Sequence, residues 1–373
     1  MKQLQLPQSE IGKLKRKIRE IMNRCKITGV CMGLWLSGVL CAQQLPTGST
    51  GQVGSESRVA GDSVQGSRRR AFSPEQQAAG QAITSRFPTT RLVDVQYNYL
   101  TPADYRWKLH KEPYEKGKLE TQNRVMVALN IPFYWKNSWV LSSSLRYNYA
   151  AMNFGDVEML SSEYPQQYHG GAFHSHVWQA AVNATYLSKL WGKTAVYNLT
   201  IHTQGSNKGL EQVDAFLLAG MILKNTKRTT LTVGLAGFIG PTVRIPVVPA
   251  FAVDHKFTPT ISFSTVLPQF LYFRKTFGTT GRLSLGTEME TTNYYVYPEG
   301  IDKTYLFQKY EVKSGIMYEY YLFKHIILTC KTGLVYNFSS RLQPANRSSK
   351  HKIMTGKKDL NGYFNIGFSY SLF

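Results

Sequence analysis

The chain has 373 residues, 44 Lys and Arg against 23 Asp and Glu, a formal charge of +21, and more Tyr (23) than Phe (19). Three of its four cysteines, Cys25, Cys31 and Cys41, fall in the first 42 residues; Cys330 then stands alone, which excludes an internal disulfide and a Cys-based metal site downstream. No Walker loop, dinucleotide fingerprint, zinc motif or nucleic-acid-binding motif is found, so neither a cofactor nor a nucleic-acid partner is expected despite the basic balance.

Residues 1–42 read as an export signal. Lys13, Lys15, Arg16, Lys17, Arg19, Arg24 and Lys26 precede an apolar run over 27–41 that is Gly-interrupted and shorter than the roughly 20 residues of a membrane-spanning helix. Leu40-Cys41-Ala42 offers a cleavage site before Gln43, and Met22 is an alternative start that gives a more compact signal; an uncleaved anchor helix is the competing reading. Eight Lys and Arg stand against Glu10 and Glu20 here, so about +15 of the formal charge belongs to the remainder. Residues 43–87, rich in Gly, Ser and Gln and carrying Arg68-Arg69-Arg70, lack the apolar periodicity needed to offset ordering entropy. They read as a disordered periplasmic tail, with occlusion of a barrel lumen as the alternative.

From residue 91 a period of two sets in. Val93, Val95, Tyr97 and Tyr99 alternate with Leu92, Asp94, Gln96 and Asn98, and Val125, Val127, Leu129, Ile131 and Phe133 alternate with Arg124, Met126, Ala128 and Asn130. The pattern recurs at 139–149, 174–188, 193–204, 212–224, 229–238, 248–254, 259–267, 269–277, 281–293, 305–320, 325–339 and 360–373. Several segments have the 9 to 11 residues of a tilted transmembrane strand or more. The expected fold is therefore all-β: a transmembrane antiparallel up-and-down β-barrel over 88–373 with fourteen strands, or twelve if two of the pieces broken by Pro246, Pro249, Pro259 and Pro268 do not span. Short turns (134–138, 189–192, 225–228, 254–258, 278–280, 321–324) alternate with longer connections (101–118, 151–173, 205–211, 239–247, 294–304, 340–359). Leu267-Pro268 is the exception. Long connections belong on the outer side, with both barrel ends periplasmic.

Aromatic residues at segment ends, among them Tyr97, Tyr147, Trp139, Trp191, Tyr294, Tyr295, Tyr297, Tyr318 and Tyr320, are expected in two interfacial girdles. The terminal strand sets Phe364, Ile366, Phe368, Tyr370 and Leu372 against Asn365, Gly367, Ser369 and Ser371, so Tyr370, Leu372 and Phe373 are candidates for the signal read by barrel-assembly machinery.

Chemistry-bearing residues fall into four groups. Arg124, Arg146, Arg282, Glu288, Glu290, Glu311, Lys313 and Lys331 share the predicted inner face and are candidate lumen-lining residues, either an interior salt-bridge network or a selective polar pathway, since Arg or Lys facing lipid near the midplane costs roughly 2 to 4 kcal/mol. Arg341, Arg347, Lys350, Lys352, Lys357 and Lys358 make 340–359 a candidate outer loop for lipopolysaccharide phosphates or an anionic solute. His174 and His176 share a strand face, as two metal ligands would; nothing fixes a third ligand, and no metal is expected. His202 and Ser206 loosely echo the elements of outer-membrane phospholipases, but Ser206 lies four positions after His202 instead of two, and His202 falls on the inner face.

Asp94-Val95-Gln96-Tyr97-Asn98-Tyr99, Ala128-Leu129-Asn130-Ile131-Pro132-Phe133 and Leu145-Arg146-Tyr147-Asn148-Tyr149, together with Pro249, Leu267-Pro268 and the terminal strand, resemble a family of uncharacterised outer-membrane β-barrel proteins from Bacteroidetes, a domain of unknown function. The resemblance covers about 88–373. It implies a Gram-negative outer-membrane location and a barrel fold, and brings no catalytic residues. The expected function is a non-enzymatic pore, transport accessory or structural protein, monomeric or self-associating, in contact with outer-membrane lipid. The alternatives are a lipid-modifying hydrolase and a soluble periplasmic β-rich binding protein.

Overall fold

The computed structural model describes residues 91–371 apart from 137, 161–170, 244–245, 279, 298–302, 323–324 and 346–350; the export signal and tail expected over 1–87 lie outside the described residues. Fifteen strands follow one another: β1 (Arg91–Leu100), β2 (Ala103–Leu109), β3 (Glu112–Lys136), β4 (Trp139–Met159), β5 (Gly171–Leu190), β6 (Lys193–Ser206), β7 (Gly209–Asn225), β8 (Thr229–Ile239), β9 (Val247–Lys256), β10 (Ile261–Leu267), β11 (Phe270–Phe277), β12 (Gly281–Val296), β13 (Tyr305–Tyr321), β14 (Ile326–Pro344) and β15 (Met354–Ser371). From β2 onward each pairs antiparallel with the next, and β15 returns to β1 in a register running from Arg91 opposite Ser371 to Leu100 opposite Tyr363. β1 and β2 both lie between β15 and β3, so they are one stave interrupted at Thr101-Pro102. The result is a closed fourteen-strand up-and-down barrel.

Pairing of β15 with β1 closes the wall, and the alternation then sorts side chains into lumen and exterior. Val95, Val127, Leu145, Val182, Leu199, Ile201, Leu217, Leu235, Phe273, Leu285, Ile316, Leu334 and Phe368 all point outward and are exposed. An apolar belt that surrounds a closed sheet has no partner among the described residues; lipid is the solvent that suits it. Toward the end that carries Arg91 and Ser371, Trp139, Tyr186, Tyr197, Tyr318, Tyr320 and Tyr370 ring the exterior, with the Trp139 and Tyr186 rings 4.8 Å apart and tilted by 37°. Tyr147, Trp178 and Tyr336 are exposed nearer the distal end. Tyr294 and Tyr295, expected in a girdle, are instead 2% and 4% exposed, inside the molecule.

Two of the expected long connections are largely sheet. β2 and β3 meet through His110 and Lys111, both at positive φ (51° and 84°) as a two-residue hairpin turn requires. β4 continues to Met159 and β5 begins at Gly171, with Lys116 on β3 salt-bridged to Glu158 on β4 at 2.9 Å. Where strands rise above lipid, both faces are free to be polar, so the hydrophobic alternation fades although the ladder continues. By contrast β9, β10 and β11 have only 10, 7 and 8 residues. The Pro-broken segments are thus all strands, and short ones. They make one side of the barrel wall low, against 16 to 25 residues in β3–β5 and β12–β15.

The exterior gives a direct test. Leu199→Arg, placed at mid-height of β6, should reduce the unfolding free energy in vesicles by about 2 to 4 kcal/mol, read from urea titration; an unchanged midpoint would mean that this face does not meet lipid.

Candidate functional site

The low wall decides what happens inside. β12 pairs with β11 only as far as Phe270 opposite Glu288, and its last bond on that side is Met289 N–H to the Gln269 carbonyl at 2.8 Å. Beyond this point β12 remains paired with β13 up to Val296 opposite Tyr305, and β13 with β14 up to Tyr305 opposite Pro344, so β12 is the free edge of a leaf of sheet that leans into the lumen and stays hinged to the wall through β14. Both faces of the leaf are covered. On one, Tyr294 and Phe307 pack with Tyr105, Leu119, Ala150 and Met152 of β2–β4. On the other, Tyr295 and Leu306 pack with Val177 of β5 and with Ala345. Polar groups complete the seal: Asn293 donates to the Gln204 side-chain oxygen at 3.0 Å and accepts from Gln308 at 3.0 Å, while the Tyr297 hydroxyl bonds Ser206 and Glu211. This explains why Tyr305 to Glu311 are buried without alternation. Close approach of the backbones lets the wall bend beneath the leaf: Gly315 and Gly333 are paired, and a Cβ on Gly315 would stand 2.1 Å from the Thr332 carbonyl oxygen.

The inner face carries its charges in tiers. Nearest the chain ends of the barrel, Arg91 donates to Glu319 (2.8 Å), Asp94 (3.3 Å) and Ser369 (2.7 Å), and Arg282 donates to the other Glu319 oxygen at 2.8 Å. Above these, Lys331 and the Tyr272 hydroxyl both bond Glu288, at 3.1 and 2.7 Å. At the foot of the leaf, Arg124 of β3 reaches across to Glu311 (2.6 Å) and Glu290 (3.7 Å), Lys358 bonds Glu311 at 3.4 Å, and Lys313 bonds Glu290. Glu311 and Glu319 are fully buried. Charges so placed persist only because each has opposite partners within reach.

Beneath the leaf these tiers enclose a chamber of about 310 Å³. Arg91, Asp94, Arg124, Arg146, Glu288, Glu290, Lys313 and Lys331 line it together with Gln96, Asn98, Asn148 and Gln179. Six residues expected on the inner face therefore meet in one cavity, while Arg282 and Glu311 lie in the adjoining ion pairs. Sequence reasoning missed Arg91, since a β-bulge between Arg91 and Val93 turns it inward against the simple alternation. Lys309 was legible by parity with Glu311; it is buried over the Tyr294 and Phe307 rings, 5.7 and 5.4 Å from their centroids.

The expected anion-binding loop does not hold together as a loop. Arg341 lies in β14 near the Tyr310 ring, Lys357 and Lys358 lie in β15, and Lys358 is buried against Glu311. Asp359 and Leu360 both face outward, which inverts the parity of the strand before them and brings Lys358 inside. Lys352 is exposed in the connection; Arg347 and Lys350 lie outside the described residues, as do Leu372 and Phe373. Tyr370 faces outward beside His325. His174 and His176 are on the exterior, bonded to the hydroxyls of Tyr149 (2.9 Å) and Tyr147 (2.7 Å), and among the described residues no group of three or more His, Cys, Asp or Glu is arranged to hold a metal. His202 pairs with Asp214 at 3.3 Å on the inner face, and Ser206 is engaged by Tyr297 and Glu211. Among the described residues no hydrogen bond joins His202 to Ser206, so a Ser-His nucleophile pair is not formed.

Residues 76–371 match the family described as Domain of unknown function (DUF6268), and the chain belongs to that family. No curated protein matches it. Among solved structures, it is similar to the COG4313 outer membrane channel from Pseudomonas putida F1 (9% identity, 76% of this chain and 96% of that one, TM-score 0.36) and to the P. putida toluene transporter TodX (9%, 78% and 92%, TM-score 0.33). It is also similar to the outer membrane protease OmpT from Escherichia coli (7%, 75% and 96%, TM-score 0.25). Likenesses this distant say nothing about what this chain conducts or cleaves.

Removing Glu311 would strand Arg124 and Lys358 in the interior. Glu311→Ala should lower the unfolding free energy of the refolded barrel by about 3 to 5 kcal/mol; a loss below about 1 kcal/mol, the range of exposed pairs, would show that water reaches this tier freely.

Proposed function

We propose that this protein is a non-enzymatic outer-membrane β-barrel of a Gram-negative bacterium, which admits a small polar solute to its lumenal chamber when the β12–β13 leaf moves. The observation that supports this reading most is the chamber itself: about 310 Å³ of polar-lined space left within a barrel whose distal half is filled. A purely structural barrel has no need of it. The upper part of the β12 edge is joined to the opposite wall through aromatic packing, neutral hydrogen bonds and the Tyr297–Glu211 bond, contacts that open at lower cost than the buried ion pairs holding the foot of the leaf. On this reading the barrel ends face the periplasm, export follows a signal peptide within 1–42, and the assembly machinery reads the terminal strand. Lipid and lipopolysaccharide surround the barrel, and a Bacteroidetes origin belongs to the same proposal. The hydrolase reading is weaker because His202 and Ser206 have separate partners.

Planar-bilayer recording of the refolded barrel tests the proposal. The wild type should be mostly closed, and Tyr294→Ala, which loosens the leaf, should raise the mean conductance at least tenfold. Silence in both would leave a structural barrel; a large, always-open wild-type pore would contradict the leaf as a closure.

A further inference from the structure

The chamber is not electrically balanced in the way its tiers are. Asp94 is held by Arg91, Ser369 and Gln96, Glu288 by Lys331 and Tyr272, and Glu290 by Arg124 and Lys313. Each acid that lines the cavity thus already has its cation. Arg146 does not have its acid: among the described residues it has no hydrogen-bond or ion-pair partner, and its Nε is buried without one. A guanidinium left over in a partly desolvated cavity is costly unless something anionic occupies the space before it.

Its neighbours define what that something is. On β4, Asn148 lies two residues from Arg146 and so shares its face; on β5, Gln179 is directly opposite Arg146 in the ladder, where side chains are about 5 Å apart. One fixed positive charge is thereby flanked by two neutral carboxamides that can donate hydrogen bonds. Lys313 and Lys331 are committed to glutamates, so no second cation is free to neutralise a dianion. Val177 and Met126 line the cavity beside this patch and offer apolar contact for an uncharged remainder. The volume lies at the lower end of the range for small-molecule sites.

The geometry points to Arg146, with Asn148 and Gln179, as the binding site for a single carboxylate: the chamber takes a small organic monoanion, bound through the planar fork that guanidinium presents to carboxylate. This deepens the proposed function by naming the class of solute, and it rests on the chamber rather than on movement of the leaf.

Equilibrium binding on the full chain, refolded in detergent, separates the two. With butyrate as the probe, n-butanol as its neutral counterpart and sulfate as a dianionic one, calorimetry should show saturable binding of butyrate and at least tenfold weaker binding of the other two. Arg146→Gln should lose at least tenfold in butyrate affinity, and Asn148→Ala and Gln179→Ala about threefold each, with the heat-modifiable gel mobility of the folded barrel retained. If Arg146→Gln does not fold, Arg146→Lys, which keeps the charge and loses the fork, should still weaken butyrate at least threefold. No saturable binding to the wild type, equal binding of butanol, or unchanged affinity in the Arg146 variant that folds overturns the inference. Butyrate binding with silent bilayers would instead retain the site and reject the channel.

Discussion

Because β9, β10 and β11 stop after 10, 7 and 8 residues, β12 loses its backbone partner at Gln269 while still having the residues up to Val296 to place. A strand edge left open is a liability, and buried backbone groups without partners cost about as much as a lost hydrogen bond each. Turned into the lumen, that edge is shielded from pairing with another chain, and its side chains gain partners on the facing walls. The leaf finds Tyr105, Leu119 and Met152 on one side and Val177 on the other, and it fills a space that a fourteen-strand cylinder would otherwise leave to water. The height of one side of the wall thus governs how far the distal lumen is filled, where the chamber begins and which residues line it.

The charged tiers follow from the same geometry. A barrel whose exterior meets lipid has only its inner face for Arg, Lys, Asp and Glu, and a lumen narrowed by a leaf brings those charges close enough to need one another. Glu311 and Glu319 illustrate the solution, each fully buried and each shared between two cations. Arg124 also ties β3 to the leaf through Thr292 and Glu311, so the electrostatic network and the leaf are one mechanical unit. Arg146 stands outside that unit. It sits on β4 with neutral neighbours, and this is why the chamber keeps one site open.

The barrel, its strand number and most of its inner face were legible in the sequence because lipid enforces alternation: Val127, Leu145, Leu285 and Phe368 had to point one way and Arg124, Glu288 and Lys331 the other. Legibility failed where that constraint lapses. Above the lipid, the strands around Lys116 and Asn153 carry polar residues on both faces and read as loops. In the leaf, Tyr294 and Tyr295 are both interior, so neither parity nor an aromatic girdle describes them. At bulges the period of two slips by one, which concealed Arg91 and placed Lys358 in a loop although it bonds Glu311 inside the barrel. Short-range pattern fixes a face; it does not count residues across a bulge or report that a neighbouring strand ends early.

Among the contacts that join the leaf to the opposite wall is the hydrogen bond from Asn293 to Gln204, 89 residues apart in sequence and 3.0 Å apart in the fold. Paired Gln204→Cys and Asn293→Cys substitutions, in a chain otherwise free of cysteine and inserted in membranes, measure it directly. A short bis-methanethiosulfonate reagent, which spans the gap left when both side chains are shortened, should join β6 to β12 in most molecules and hold the barrel closed until a reductant is added. Absence of the cross-link in folded barrels, with both thiols open to a water-soluble reagent, would mean that β12 and β13 stand in the wall and that the lumen is open along its length.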